Sequence, residues 1–407
     1  MIETDDATTA RPVERLPRTY LLWLTGLLAS VLGDTVLYFG LGWAASAHGG
    51  GAAGLLLTAI SLPRTALLLV GGAVADRWGA RRVLIAGDAT MLVVAVAACV
   101  AVWWRGSPLW LLITIGLAVG TVDAFYLPAS GSMPRRLVPP AVLGRALALR
   151  QTGAQLIALA GGSLGGFLVG AAGLGGVALF DALTFALMLA VLLTIRPPAT
   201  TRESAPASTG VRRDLTEGLR LVRRDRTLRT ALLMTSCAAG CLIPVPSLLL
   251  PLLGRQQGWS AGTTGLLVAA QTLGVVAVAG WVTWRGGLPR PMAASAGGLL
   301  VAGAGAALLA GASSPVAAGA AAALSGLGTG LFATHVAPLL LGGTPESHLA
   351  RVQAVVGLAQ SCPLLVMNVV LGNLAAGAGV TAAFLCCATM ATVTGLTVLR
   401  LHRPDGR

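Results

Sequence analysis

Two aspartates and two arginines, Asp34, Asp123, Arg64 and Arg150, interrupt long apolar stretches of this 407-residue chain. A charge near the centre of a bilayer costs at least about 2.5 kcal/mol on insertion scales, so it needs a partner, water or a purpose. In a partly dry cavity a carboxylate can take up and release a proton, because desolvation and a nearby arginine act on its ionisation in opposite directions. The bland alternative is a set of permanent ion pairs that only fix helix packing.

The elements that must hold these groups follow from composition. Hydrophobic residues make up 55% of the chain, charged residues 11%, and there are 54 glycines. With a mean hydropathy of +0.81 this is far more apolar surface than one soluble core could use, so the expected solvent is a bilayer. The net charge of +13 does not indicate nucleic acid, because the arginines cluster between apolar runs rather than along one soluble face. Cys99, Cys237, Cys241, Cys362, Cys386 and Cys387 all fall within apolar runs, so neither a disulfide framework nor a metal site is expected.

A bilayer core of about 30 Å takes roughly 20 residues per helix. Twelve such stretches fit: 19–47, 53–74, 83–104, 108–132, 141–170, 174–195, 228–253, 260–284, 291–311, 315–341, 350–375 and 379–400. Alternate connections carry Arg77, Arg81 and Arg82, then Arg135 and Arg136, the 196–227 linker, Arg285 and Arg290, and Arg351; the opposite set holds only Arg105 and Arg255. Basic loops stay on the cytoplasmic side, which predicts cytoplasmic termini in a cell (inner or plasma) membrane. Trp43, Trp103, Trp104, Trp110 and Trp259 fall at predicted outer ends, and Trp23, Trp78, Trp281 and Trp284 at inner ends, as interfacial anchoring expects. Counting about 1.5 Å per residue from the cytoplasmic ends puts Asp34 about 21 Å deep, Arg64 about 18 Å, Asp123 about 17 Å and Arg150 about 15 Å.

The predicted organisation is a cytoplasmic tail (1–18), a six-helix bundle (19–195), a linker (196–227) with an amphipathic basic helix, a second six-helix bundle (228–400) and a short tail (401–407). The segment Gly280 to Arg290 overlays the one starting at Gly72, pairing Arg285 with Arg77, Gly287 with Gly79 and Arg290 with Arg82, which suggests a duplicated half.

The stretch from Gly71 to Leu84, containing Gly72, Asp76, Arg77, Gly79, Arg81 and Arg82, resembles the signature G-x-L-A-D-R-x-G-R-R/K-x-x-L of the major facilitator superfamily, with Val74 in the place of the usual leucine. Gly161, Gly162, Gly165 and Gly166 in helix 5 are similar to the antiporter signature G-P-x-x-G-G, with Gly162 replacing the proline. Residues Ser30 to Asp34, Leu62-Pro63-Arg64, Tyr126 to Ala129 and Phe180 to Phe185 look like the subgroup of exporters that includes macrolide-efflux and enterobactin-export proteins, over roughly residues 19–230.

This resemblance implies an all-α polytopic fold of twelve transmembrane helices in two pseudo-symmetric six-helix bundles. It implies that Asp34 and Asp123 face a central cavity flanked by Arg64 and Arg150, and that His335 on helix 10 is another cavity position. Asp76 would belong to a latch between halves that is made outward-open and broken inward-open, or to a simple topological anchor. Asp88, near Arg81 and Arg82, and Asp181 read as local structural partners.

Between Arg226 and Pro404 the one acid is Glu346, so any intramembrane proton-carrying carboxylate must lie in the first half. The second half offers Gln271, His335, Gln360, Asn368 and Asn373 among apolar residues, which suits a lipophilic cargo. The expectation is a secondary transporter, in monomeric form, exporting a small hydrophobic compound against proton influx, with membrane lipids around it and no cofactor. An importer or facilitator of a metabolite or siderophore is the rival reading, and a membrane receptor or enzyme the more distant one. No G-x-x-x-x-G-K-[ST] is present, and the chain has no lysine.

Overall fold

The computed structural model describes residues 16–195, 220, 222–342 and 349–401, without the side chains of Leu68, Leu69, Asp76, Leu341, Leu349, Ala350, Arg351 and Ala354. Nearly all of the linker, Glu346, and most of both tails lie outside the described residues.

Every regular element among the described residues is helical: α1 (Arg18–Ser46), α2 (Gly50–Trp78), α3 (Ala80–Arg105) and α4 (Leu109–Leu137), then the 55-residue Pro140–Thr194. Within it Gly173 leaves helical geometry at φ 65° and ψ −171°, dividing it into α5 (140–172) and α6 (174–194). There follow α7 (Arg226–Gln256), α8 (Ala261–Arg285), α9 (Pro291–Ala310), α10 (Pro315–Leu341), α11 (Leu349–Ala378) and α12 (Val380–Leu401). A π-helical turn, Val245–Leu249, interrupts α7. Ten of the helices are long and apolar enough to cross a membrane; the double length of Pro140–Thr194 and the 29-residue α2 bring the spans to twelve.

Helices dominate because a bilayer offers no hydrogen bonds, and an α-helix satisfies its backbone internally. A single residue, Gly79 at φ 89°, separates α2 from α3; with no Cβ it takes a backbone conformation that other residues avoid.

Helix packing repeats from the first six helices to the last six. The pairs α1·α5, α2·α4, α3·α4 and α3·α6 correspond to α7·α11, α8·α10, α9·α10 and α9·α12, and the bundles meet through α5·α8 and α2·α11. Those meetings lie at one face. Gly50 and Gly54 press on the backbone of α11 at Gly372 and Asn368, while Gly162 and Gly166 press on α8 at Gly265 and Ala261. This is the face opposite the α2–α3 connection. On the arginine-rich face the first bundle has a core of its own, from Tyr20, Trp23 and Leu27 to Met133, Met188 and Leu192.

Trp103, Trp104, Trp110, Trp78 and Trp284 are exposed at helix ends, as anchors should be. Trp23 and Trp43 are instead buried: Trp23 stacks against Tyr20 with ring centroids 5.8 Å apart, and Trp43 lies under the Arg255 guanidinium at 3.9 Å. Helical register gives a residue's depth but not which neighbour covers it, and here a helix rather than the lipid surface covers both rings.

Candidate functional site

A polar stripe runs along α1 at one-turn spacing: Ser30, Asp34 and Tyr38. The Tyr38 hydroxyl donates to Asp123 Oδ2 on α4 at 2.6 Å. Asp34 lies in electrostatic reach of Asp181, Asp123, Asp88 and Arg64, so α1, α3, α4 and α6 each bring one carboxylate, with a guanidinium from α2 beside them. Arg64 is exposed and acts on both Asp34 and Asp123.

Asp88 and Asp181 are fully buried, and the Asp181 carboxyl has no hydrogen-bond partner among the described residues. Asp181, beside Thr184, packs against the backbone of α1 at Gly33, the residue before Asp34. Asp88 faces Tyr126, whose buried hydroxyl interacts with it and with Ser30. The expectation that Asp88 pairs with Arg81 or Arg82 is corrected here, because Arg82 is exposed while Asp88 is buried, and the Arg81 guanidinium is committed elsewhere. Its Nε donates to the Ile195 carbonyl at 3.0 Å and its Nη2 to that of Leu192 at 2.7 Å, where a cation meets the negative end of α6.

Arg150 stands apart from Asp34 and Asp123. Its guanidinium carbon is 5.9 Å from the Trp23 ring centroid, and its electrostatic neighbours are Tyr20 and Tyr126. All three tyrosines of the chain, Tyr20, Tyr38 and Tyr126, thus stand beside a buried or half-buried charge of the first bundle. Their scarcity, and the one-turn spacing of Tyr38 to Asp34 and of Tyr126 to Asp123, were the signal in the sequence that could have found this cluster.

His335 is buried. The Leu288 backbone N–H donates to its Nε2 at 2.9 Å, which leaves the proton on Nδ1 to be donated to the Leu331 carbonyl at 2.9 Å. The ring ties the α8–α9 connection to α10.

In the α2–α3 connection Arg77 and Arg82 are exposed, and Gly72 has no heavy atom near its missing side chain; the neighbouring Gly71 is the one packed on α4 at Ala124. The Asp76 side chain, and with it the latch contact, lies outside the described residues.

The helix 5 glycines divide by face. Gly161 and Gly165 meet Thr35 and Phe39 of α1, while Gly162 and Gly166 meet α8. Small residues let these backbones touch without hydrophobic drive, which lipid would not supply. Arg255 closes the same face, its Nη2 donating to the Trp43 carbonyl at 3.2 Å and its Nε facing Ser46 Oγ at 3.4 Å.

Toward the arginine-rich face the bundles separate around adjoining hollows. One of about 820 Å³ lies between α5, α8 and α10, with Gln151, Gln155 and Thr283 on its walls. One of about 440 Å³ lies between α7, α10 and α11. A third, of about 280 Å³, reaches the middle of the span at Gln271, Thr272 and Thr329. None of the residues lining the three is charged.

Two six-helix bundles closed at one face around a cavity open at the other are the architecture of a polytopic membrane transporter. The sequence agrees: residues 23–365 match the family model described as Major Facilitator Superfamily, and the chain belongs to that superfamily. Solved structures of similar fold include the nucleoside transporter NupG, at 11% identity and TM-score 0.71, covering 96% of this chain and 100% of that one. A POT family transporter in complex with 5-aminolevulinic acid has 15% identity and TM-score 0.71, covering 93% and 95%. A bacterial homologue of the human lysosomal transporter Spinster, inward-facing and occupied, has 14% identity and TM-score 0.72, covering 95% and 98%. At these identities the likeness concerns the fold alone. No curated protein matches the chain by sequence.

Proposed function

We propose that this transporter exports a small, largely apolar compound in exchange for protons, by alternating access between its bundles. In this reading the arginine-rich face is cytoplasmic, both termini are in the cytosol, and the conformation described is open to the cytosol.

The observation that carries the reading is the placement of acids. The second bundle makes the same helix crossings as the first without a single Asp or Glu in α7 to α12. Packing of this fold therefore needs no intramembrane carboxylate, while the first bundle keeps four. A charge buried without a partner is costly, and protonation is the change that removes it. Asp34 is the member best placed to exchange protons: it is half-buried, next to the exposed Arg64, with the enclosed Asp181 and Asp88 behind it. The importer reading drew on an anionic cargo held by Arg64 and Arg150 together. Arg64 among acids and Arg150 over Trp23 favour export instead.

Everted vesicles energised to an acid interior, with a pH-sensitive dye, test this. Chloramphenicol, hydrocortisone, ethidium and rhodamine 6G are added in turn. At least one should discharge the gradient through the native protein and none through Asp34→Asn at equal membrane abundance. Failure of all four with the native protein, or equal discharge by Asp34→Asn, contradicts proton-coupled export.

A further inference from the structure

We infer that the hollow at the middle of the span, between α7, α8, α10 and α11, takes an uncharged molecule that carries hydroxyl or N–H donors on an apolar frame, and that the side-chain oxygen of Gln271 accepts one of those donors. This rests on the transport reading above and specifies its cargo.

The walls supply the argument. Gln271 is 4% exposed and lines the hollow, and its Oε1 is closed off from open space with no hydrogen-bond partner among the described residues, so a donor in the hollow meets it once the amide turns. A buried amide oxygen left unpaired loses what water would give it, so the site gains when a donor arrives. The Gln271 backbone is held in place because Gly326 of α10 packs directly on its carbonyl, which fixes the base of the side chain.

Three threonines share the wall, and each spends its hydroxyl proton on its own helix: Thr235 on Ala231 at 2.8 Å, Thr272 on Val268 at 3.0 Å and Thr329 on Ser325 at 2.9 Å. What they present to the hollow is a methyl group and oxygen lone pairs. Phe332, Leu242 and Val275 supply apolar area, and Gln360 an amide. The lining is thus apolar, with acceptors from the three threonines and with the two glutamine amides offering both an acceptor and N–H donors. With no carboxylate in it, nothing there offsets the desolvation of a permanent cation, and with no guanidinium nothing receives an anion.

The test uses the full-length protein in nanodiscs and two uncharged probes that differ in donors: chloramphenicol, with two hydroxyls and an amide N–H, and its diacetyl ester, in which both hydroxyls are masked. The native protein should bind chloramphenicol about tenfold more tightly than the ester, the size of one lost neutral hydrogen bond. Gln271→Met, close in volume, should level that difference while Tm stays within a few degrees of native. Ethidium should bind more weakly than chloramphenicol.

Equal binding of the two uncharged probes by the native protein would overturn the inference, as would a tenfold preference that survives in Gln271→Met, or tighter binding of ethidium. Since the first comparison uses only native protein, a variant that fails to fold leaves it intact. In the vesicle assay, discharge by ethidium but by neither chloramphenicol nor hydrocortisone sinks this inference alone. Discharge by none of the probes sinks the export reading and this one with it.

Discussion

The first bundle places Asp34, Asp88, Asp123 and Asp181 on four helices around Tyr38 and Tyr126, whereas the second packs α7 to α12 with no acid at all and lines its hollows with glutamine, threonine and apolar groups. The two make the same helix pairings. Intramembrane charge in this chain is therefore not a requirement of the architecture. Under the proposed function, one bundle handles protons and the other most of the cargo surface, and each can be disturbed without the other.

The largest expected effect comes from the bundle that holds the acids. Asp34→Asn should reduce probe-driven proton movement to the level of empty vesicles, while chloramphenicol binding changes less than about threefold. A joint collapse of binding and coupling would erase the division between bundles.

Next is the seam that joins them. A side chain at Gly166 would meet the α8 backbone at Ala261 and Gly265, so Gly166→Val should keep α5 and α8 apart at the face opposite the α2–α3 connection. Distances between spin labels across that seam should lengthen by several ångströms, with turnover down about tenfold or more. Unchanged distances would show that the glycines do not govern closure.

Asp181→Asn should lower coupled turnover about tenfold with the protein still folded, since the amide keeps the shape of the group packed on Gly33 and cannot ionise. Loss of thermal stability without loss of coupling in the surviving protein would make Asp181 a packing residue.

The smallest effect is expected in the second bundle at His335. His335→Ala removes the acceptor for the Leu288 N–H and should cost about 1 to 3 kcal/mol of stability, with faster amide exchange in the α8–α9 connection. Proton coupling should stay native. A coupling defect would place a proton-handling group in the bundle that otherwise lacks one.

Much of the fold was legible in the sequence, for identifiable reasons. Runs of about 20 apolar residues count spans directly, and glycine at 79 and 173 marks places where the helix must stop or break. The site was legible in part. Counting residues along a helix gives depth, and Asp34 and Arg64, expected at similar depth, lie within electrostatic reach of each other. Depth does not give azimuth, however, so Arg150 ended over Trp23, and Asp88 and Asp181 joined the cluster rather than local partners. His335 shows the same limit: its one-turn bond to Leu331 is local, but its bond to Leu288 depends on how a loop folds back, which no periodicity encodes.

The most direct test of the central claim is proton release on addition of a probe to energised everted vesicles, native protein against Asp34→Asn. The account predicts discharge of the gradient by the native protein and none by the variant, with both present in the membrane in equal amount. Discharge at the native rate by Asp34→Asn would contradict it.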